Sequence, residues 1–293
     1  MQQMTQQPIA ALQVADLLAS LAFYTKQLSF TLVAAYPEAD RAEITHPGLT
    51  NGYVLLLAGP QGGDIIAYLS GPRLVLKPGE HIRVFPEDLA ATHAHLDAHG
   101  LAAQSVETVW ERSIQVQDPD GYSIHFIQLK QPSPQETLAL YATCPDDLEA
   151  ALAGLAAQDL ELRRSPHEWT IRQIVHHIAD GDDLWSMALK AALTKPGFHY
   201  SQHWYSTDNA IAGPLDYAGR AIEPALALFR AHRAHITQLM QHLPDAWERY
   251  ILFSWQQSEE AEKVTAGTII RAQTRHAEEH IEEIRAILRA NRR

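Results

Sequence analysis

Apolar and polar residues alternate with different periods in the two halves of the chain. Over the first ~130 residues, short apolar runs between Gly, Pro and Asp predict strands. They fall at Ile9–Val14, Phe30–Ala35, Tyr53–Leu57, His81–Phe85, Ser113–Val116 and Ile124–Leu129. Two helical patterns interrupt them. One is ADLLASLAFYTKQL from Ala15; the other is PEDLAATHAHLDAHG from Pro86, with Gly100 as its C-cap. Each helix follows a strand and opens on Asp-Leu (Asp16-Leu17 and Asp88-Leu89). The pattern is therefore a βαβββ unit used twice, about 72 residues apart. Two such units normally pair their sheets into a half-open barrel whose hollow can hold a ligand. Asp118-Pro119-Asp120-Gly121 supplies a tight turn before the last strand.

After Gln131-Pro132-Ser133-Pro134-Gln135 the period changes to a helical one. Leu148, Leu152 and Leu155 keep helical spacing. Thr170 and Gln173 form a capping box that predicts a helix from about Ile171 to about Leu193. Further helices are expected from roughly Ile222 to Leu243, before Pro244, and from about Thr265 onward. The expected fold class is α+β with two domains: paired βαβββ modules over residues 1–130, a linker over 131–143, and an all-α four-helix bundle over 144–293.

Composition narrows the functional classes. A length of 293 residues suits two domains, and 46% hydrophobic content supports a core in each. The net charge of −12 leaves no basic face for nucleic acid or an anionic membrane. Cys144 is the single cysteine, so an intrachain disulfide and a Cys-based zinc site are excluded. Beside Pro145 it reads as a structural thiol. The opening MQQMTQQPIAALQVAD lacks a basic, apolar leader, and no stretch approaches the ~18 apolar residues of a membrane span. A cytoplasmic protein is expected. No G-x-S-x-G, P-loop or G-x-G-x-x-G motif is present.

The candidate chemistry lies in histidines. His276 and His280 are four apart in RHAEEHIEEI and share one helix face with Ile269, Ala272 and Ile284, Gln273 lying at its margin. His176 and His177 are adjacent in WTIRQIVHHIAD, about 100° apart on a helix. His177 keeps phase with Ile174, Gly181, Leu184 and Ala188, a core face. His176 keeps phase with Arg172, Gln173, Asp180 and Asp183, a polar one. His177, His276 and His280 are therefore the candidate ligands of one metal ion; His176 and Asp180 are candidate pocket or supporting residues. The alternative is three core histidines bonded to backbone or carboxylates. His203, in the aromatic loop GFHYSQHWYSTDNA, is a candidate acid–base group. His93, His95 and His99 suit a solvated helix face. His232 and His235, beside Arg230 and Arg233, suit an exposed polar face.

CPDDLEAALAGL, WTIRQIVHHIADGDD and RHAEEHIEEI together resemble the DinB-like superfamily, in particular its metal-dependent hydrolase branch. The resemblance implies a four-helix bundle, often a homodimer, with one divalent cation on three histidines that correspond to His177, His276 and His280. Zinc, nickel, iron and manganese all suit such ligands. It also implies activation of a bound thiol or water, with a low-molecular-weight thiol as possible cosubstrate. LQVADLLASLAFYTKQLSF, EHIRVFPEDLAATHAHL and DPDGYSIHFIQL resemble the vicinal oxygen chelate superfamily of glyoxalases, bleomycin-resistance proteins and dioxygenases. There the implied metal positions are His81, His125 and Ile9, and Ile9 cannot ligate.

Two readings of function follow. The first is a metal-dependent enzyme that transfers a thiol to, or hydrolyses, a small electrophile. The second is a non-catalytic protein that sequesters a small molecule in the N-terminal hollow.

Overall fold

The computed structural model describes residues 7–49, 52–58, 75–76, 80–202, 209–255 and 260–291. The chain divides into two compact units, Met1–Gln131 and Pro132–Arg293.

The first unit holds the predicted repeat. Strand β1 (Gln7–Val14) leads to helix α1 (Leu17–Ala22) and then β2 (Thr31–Tyr36), β3 (Arg41–Thr45) and β4 (Gly52–Ala58). Strand β5 (His81–Val84) leads to α2 (Leu89–Ala98), β6 (Gln104–Glu107), β7 (Glu111–Gln117) and β8 (Ser123–Leu129). The two sheets have the same order, β1-β4-β3-β2 and β5-β8-β7-β6, with a parallel pair between the first and last strand of each. The repeated aspartates are N-caps. Asp16 accepts from the amides of Leu18 and Ala19, and Asp88 from those of Ala90 and Ala91. Gly100 has φ +69°, as a helix-terminating glycine needs.

One hydrophobic cluster takes residues from both sheets, among them Leu12, Val54, Leu56, Ile82, Ile124 and Phe126. The predicted turn is fixed by Asp118. Its carboxylate accepts from the amides of Asp120 and Tyr122 and from the Tyr24 hydroxyl at 2.8 Å. Burial pushes both the Tyr24 phenol and the Asp118 carboxyl above their ordinary ranges.

In the second unit the helices are α3 (Pro134–Leu152), α4 (Ile171–Thr194), the short α5 (Asn209–Ala212), α6 (Glu223–His242) and α7 (Ala266–Asn291). The four long ones form the bundle: α3 and α4 each pack against both α6 and α7. Most of the segment expected to link the domains is instead the start of α3. Ser133 and Glu136 form a reciprocal capping box and Pro134 occupies the first turn, so the prolines initiate the helix. The bundle also carries a small sheet that the helical reading missed, β9 (Phe198–Ser201), β10 (Tyr250–Ser254) and β11 (Glu262–Thr265), in the order β11-β10-β9.

Of the histidines expected on an exposed polar face, His235 is exposed and His232 half-buried, while their neighbour Arg233 turns inward. It is 1% exposed and meets Asp182 at 2.8 Å. It donates to the carbonyls of Gln273 (2.8 Å) and Tyr141 (3.3 Å) and lies 3.8 Å over the Tyr141 ring. Pairing and hydrogen bonding make its burial tolerable. Among the described residues, no helix is long and apolar enough to cross a membrane.

Candidate metal centre

Two helices bring three imidazoles together. The Thr170–Gln173 capping box starts α4, and His177 falls two turns later on its core face, between the buried Ile174 and Ile178. His276 and His280 lie one turn apart on α7. The Nε2 atoms of His177 and His276 are 2.9 Å apart. Ring centroids lie 4.7 to 4.8 Å apart for all three pairs. One possible ligand atom from each ring lies within 4.8 Å of the others. A tetrahedral cation with ~2.0–2.1 Å bonds to nitrogen sets its ligand atoms about 3.3 Å apart, so the donor set suits one ion.

The surroundings favour a neutral ring at His276. Burial, together with the neighbouring His280 and His177, pushes His276 down to about 3, so its ring is neutral at physiological pH. His280 turns Nδ1 to Glu283 Oε2 at 2.9 Å. That contact places the ring proton on Nδ1 and leaves the Nε2 lone pair for a ligand. Glu283 is held in turn by Arg164 at 3.1 Å. The hydrogen bond to His280 keeps the Glu283 carboxyl below its usual range, with Arg164 adding to the effect. The Trp169 ring meets His177 edge-on at 4.6 Å. Gly181 lies one turn beyond His177, and a Cβ there would stand 3.4 Å from His276 Cε1.

The other predicted residues lie elsewhere. His176, also buried, faces about 100° away from His177, 3.4 Å from the Arg220 carbonyl and 5.5 Å from the Tyr217 ring. Asp180 pairs with Arg220 at 3.4 Å. The carboxylate that supports the histidines is Glu283, three residues after His280 and legible at i,i+3 spacing had a partner for His280 been sought on its own helix. His203 lies outside the described residues. Cys144 is buried, and burial pushes its thiol up to about 11, as suits a structural residue.

In the first unit, His81 and His125 stack face to face, with centroids 4.5 Å apart and planes 7° apart. Imidazole lone pairs lie in the ring plane, so two parallel rings do not aim them at one point. The pair therefore does not suit the metal implied for these positions, and Ile9 offers no ligand atom. Burial and the neighbouring His81 and Arg83 lower His125 to about 4.

Comparisons with known proteins agree with this division. Residues 140–284 match the family profile of the DinB superfamily. A protein of Geobacillus kaustophilus named as a putative metal-dependent hydrolase is 30% identical over 138 residues, which are 44% of this chain and 73% of the relative. The chain belongs to the DinB superfamily. A Geobacillus thermodenitrificans protein of the same description is 29% identical over 139 residues, again 44% of this chain and 73% of its own. YfiT from Bacillus subtilis, described as a probable metal-dependent hydrolase with an unusual four-helix bundle topology, aligns at 21% identity. The alignment covers 55% of this chain and 90% of YfiT, with a TM-score of 0.48. Residues 6–126 match the Glyoxalase/Bleomycin resistance protein/Dioxygenase superfamily. The DinB match lies within the second unit and the glyoxalase match within the first.

Proposed function

We propose that the second unit is a metal-dependent enzyme in which His177, His276 and His280 hold one divalent cation. The observation that carries this reading is the convergence of three imidazoles from two helices, with His276 kept neutral and His280 oriented by Glu283. A cation with three protein ligands and open positions lowers the pKa of a water or thiol that shares it. The reaction class is hydrolysis of a small electrophilic molecule, or transfer of a low-molecular-weight thiol to it. The names of the Geobacillus relatives support hydrolysis.

The protein's own groups contribute position and proton state. His177 is fixed by its buried place on α4 and by Trp169. Glu283 fixes the tautomer of His280. A panel of esters, amides and epoxides, with water or bacterial thiols as acceptors, tests the reading before and after chelation. Turnover should require the metal and should disappear in His276→Ala. Equal turnover after chelation and in the variant would refute it.

The stacked His81–His125 pair favours a second role for the first unit, as a metal-free binder of a small molecule. Ligand-induced thermal stabilisation that survives chelation and His276→Ala is its expected signature. A shift that requires metal at His81 would overturn it.

A further inference from the structure

His177 and His276 close one end of a cleft of about 400 Å³, a size that suits a small molecule. Its floor follows α7 from His276 back to Thr268, about 12 Å at 1.5 Å per residue. A cation held by the histidines would stand at the His276 end. Away from it the lining turns apolar, with Val264, Ile269 and the indoles of Trp185 and Trp255. The two indoles lie 6.0 Å apart and 85° to one another. Buried Phe253 packs against both, at 5.2 and 4.9 Å, so this wall is set before any occupant arrives. Trp255 is nevertheless 48% exposed, and an occupant would take that apolar surface out of water. An aromatic ring gains more against an indole than its buried area alone supplies, which favours a flat aromatic occupant over a puckered one.

Charge is distributed as unevenly as polarity. Among the described residues, no Lys, Arg, Asp or Glu lines the cleft. Imidazole ligands are neutral, so a divalent ion on them keeps its charge at the histidine end. An anionic or lone-pair donor head is therefore satisfied there. A second charge beside the indoles would lose its hydration and meet no partner.

We propose that the Trp185–Trp255 wall is an aryl subsite, and that the molecule it selects has a flat aromatic body with a single donor head directed to the cation. The head rests on the metal centre of the proposed enzyme; the aryl subsite itself does not.

The test uses the full chain, with zinc as the probe ion. Calorimetry gives dissociation constants for 2-naphthohydroxamate, its saturated decalin analogue, its 6-carboxy derivative, and acetohydroxamate, which has the head alone. The naphthyl group should tighten binding roughly 50-fold over acetohydroxamate, as burial of about 100 Å² of apolar surface implies. The decalin analogue should bind several-fold more weakly than the naphthyl probe, and the 6-carboxy derivative about tenfold more weakly or worse. In Trp255→Ala, at a half-exposed position, the naphthyl advantage should shrink about tenfold while acetohydroxamate binding and zinc content hold. Trp255→Phe should restore part of it. A second arm strips the metal with chelator and follows 2-naphthamide by ligand-observed NMR; its weaker binding should still depend on Trp255.

Equal binding of the naphthyl probe and acetohydroxamate, a decalin analogue or 6-carboxy derivative that binds as tightly as the naphthyl probe, or a naphthyl advantage untouched in Trp255→Ala would overturn the subsite. The two arms separate the readings. A protein that takes up no zinc yet binds 2-naphthamide through Trp255 sinks the enzyme reading and keeps the aryl subsite. A protein that takes up zinc but binds 2-naphthohydroxamate and acetohydroxamate alike sinks the subsite and keeps the metal centre.

Discussion

Replacing Glu283 by Gln tests whether the histidines act as metal ligands. The carboxylate accepts from His280 Nδ1 at 2.9 Å and is held by Arg164 at 3.1 Å. Gln keeps the shape and one acceptor oxygen but removes the charge. A carboxylate behind a ligating imidazole makes its far nitrogen a better donor, and losing such a partner costs roughly 10- to 100-fold in metal affinity. Glu283→Gln should fall near tenfold, about 1.4 kcal/mol, and Glu283→Ala nearer the upper limit. The effect on folding should be smaller, because these side chains are partly exposed and such pairs contribute about 1 kcal/mol or less.

Competition of the protein with a chromophoric chelator for zinc, used as a probe ion, reads the affinity. Circular dichroism reads the helices. In a His280→Ala background the same Glu283 change should do nothing further, since its effect passes through that ring. Unchanged affinity in Glu283→Gln, or an equal loss without His280, would refute the reasoning.

Three other outcomes are expected. Arg233→Met should lower the unfolding free energy by about 3–5 kcal/mol in a denaturant titration, because Asp182 would be left buried without its partner; a loss below 1 kcal/mol would contradict the pairing. Cys144 should resist a thiol reagent in the native protein and react on unfolding, since it is buried with its thiol pushed up to about 11. His125 lies near 4 in the folded chain, below its ordinary 6.5, so the unfolded chain takes up its proton more readily. Its contribution to stability is present above pH 6.5 and is lost as pH falls towards about 4. The urea midpoint of the first unit should decline over that window, and less steeply in His125→Gln.

The sequence was most legible where local chemistry and tertiary packing agree. Asp16 and Asp88 mark the repeat because each caps a helix at the same point of its module. His176 and His177 are both buried, and a 100° turn sends one ring to Arg220 and Tyr217 and the other to His276 and His280, so neighbours rather than burial separate them. Strands β3 and β6 escaped notice because RAEIT and QSVE carry mostly polar residues, and four strands in register are needed to make them sheet. The small sheet beside the bundle depends on β9 finding β10 far along the chain. Arg233 sits in a polar run, and only the facing Asp182 and the carbonyls of α3 and α7 reveal it as buried.

Gly181 has one more consequence. A single added methyl would stand 3.4 Å from the His276 ring, at the edge of ordinary contact, so a larger branched side chain would press on that ring. The two positions are therefore coupled in size: among homologues, Val or Leu at the first should go with a shifted or different side chain at the second. That correlation would separate members able to load an ion from those that keep only the helical scaffold.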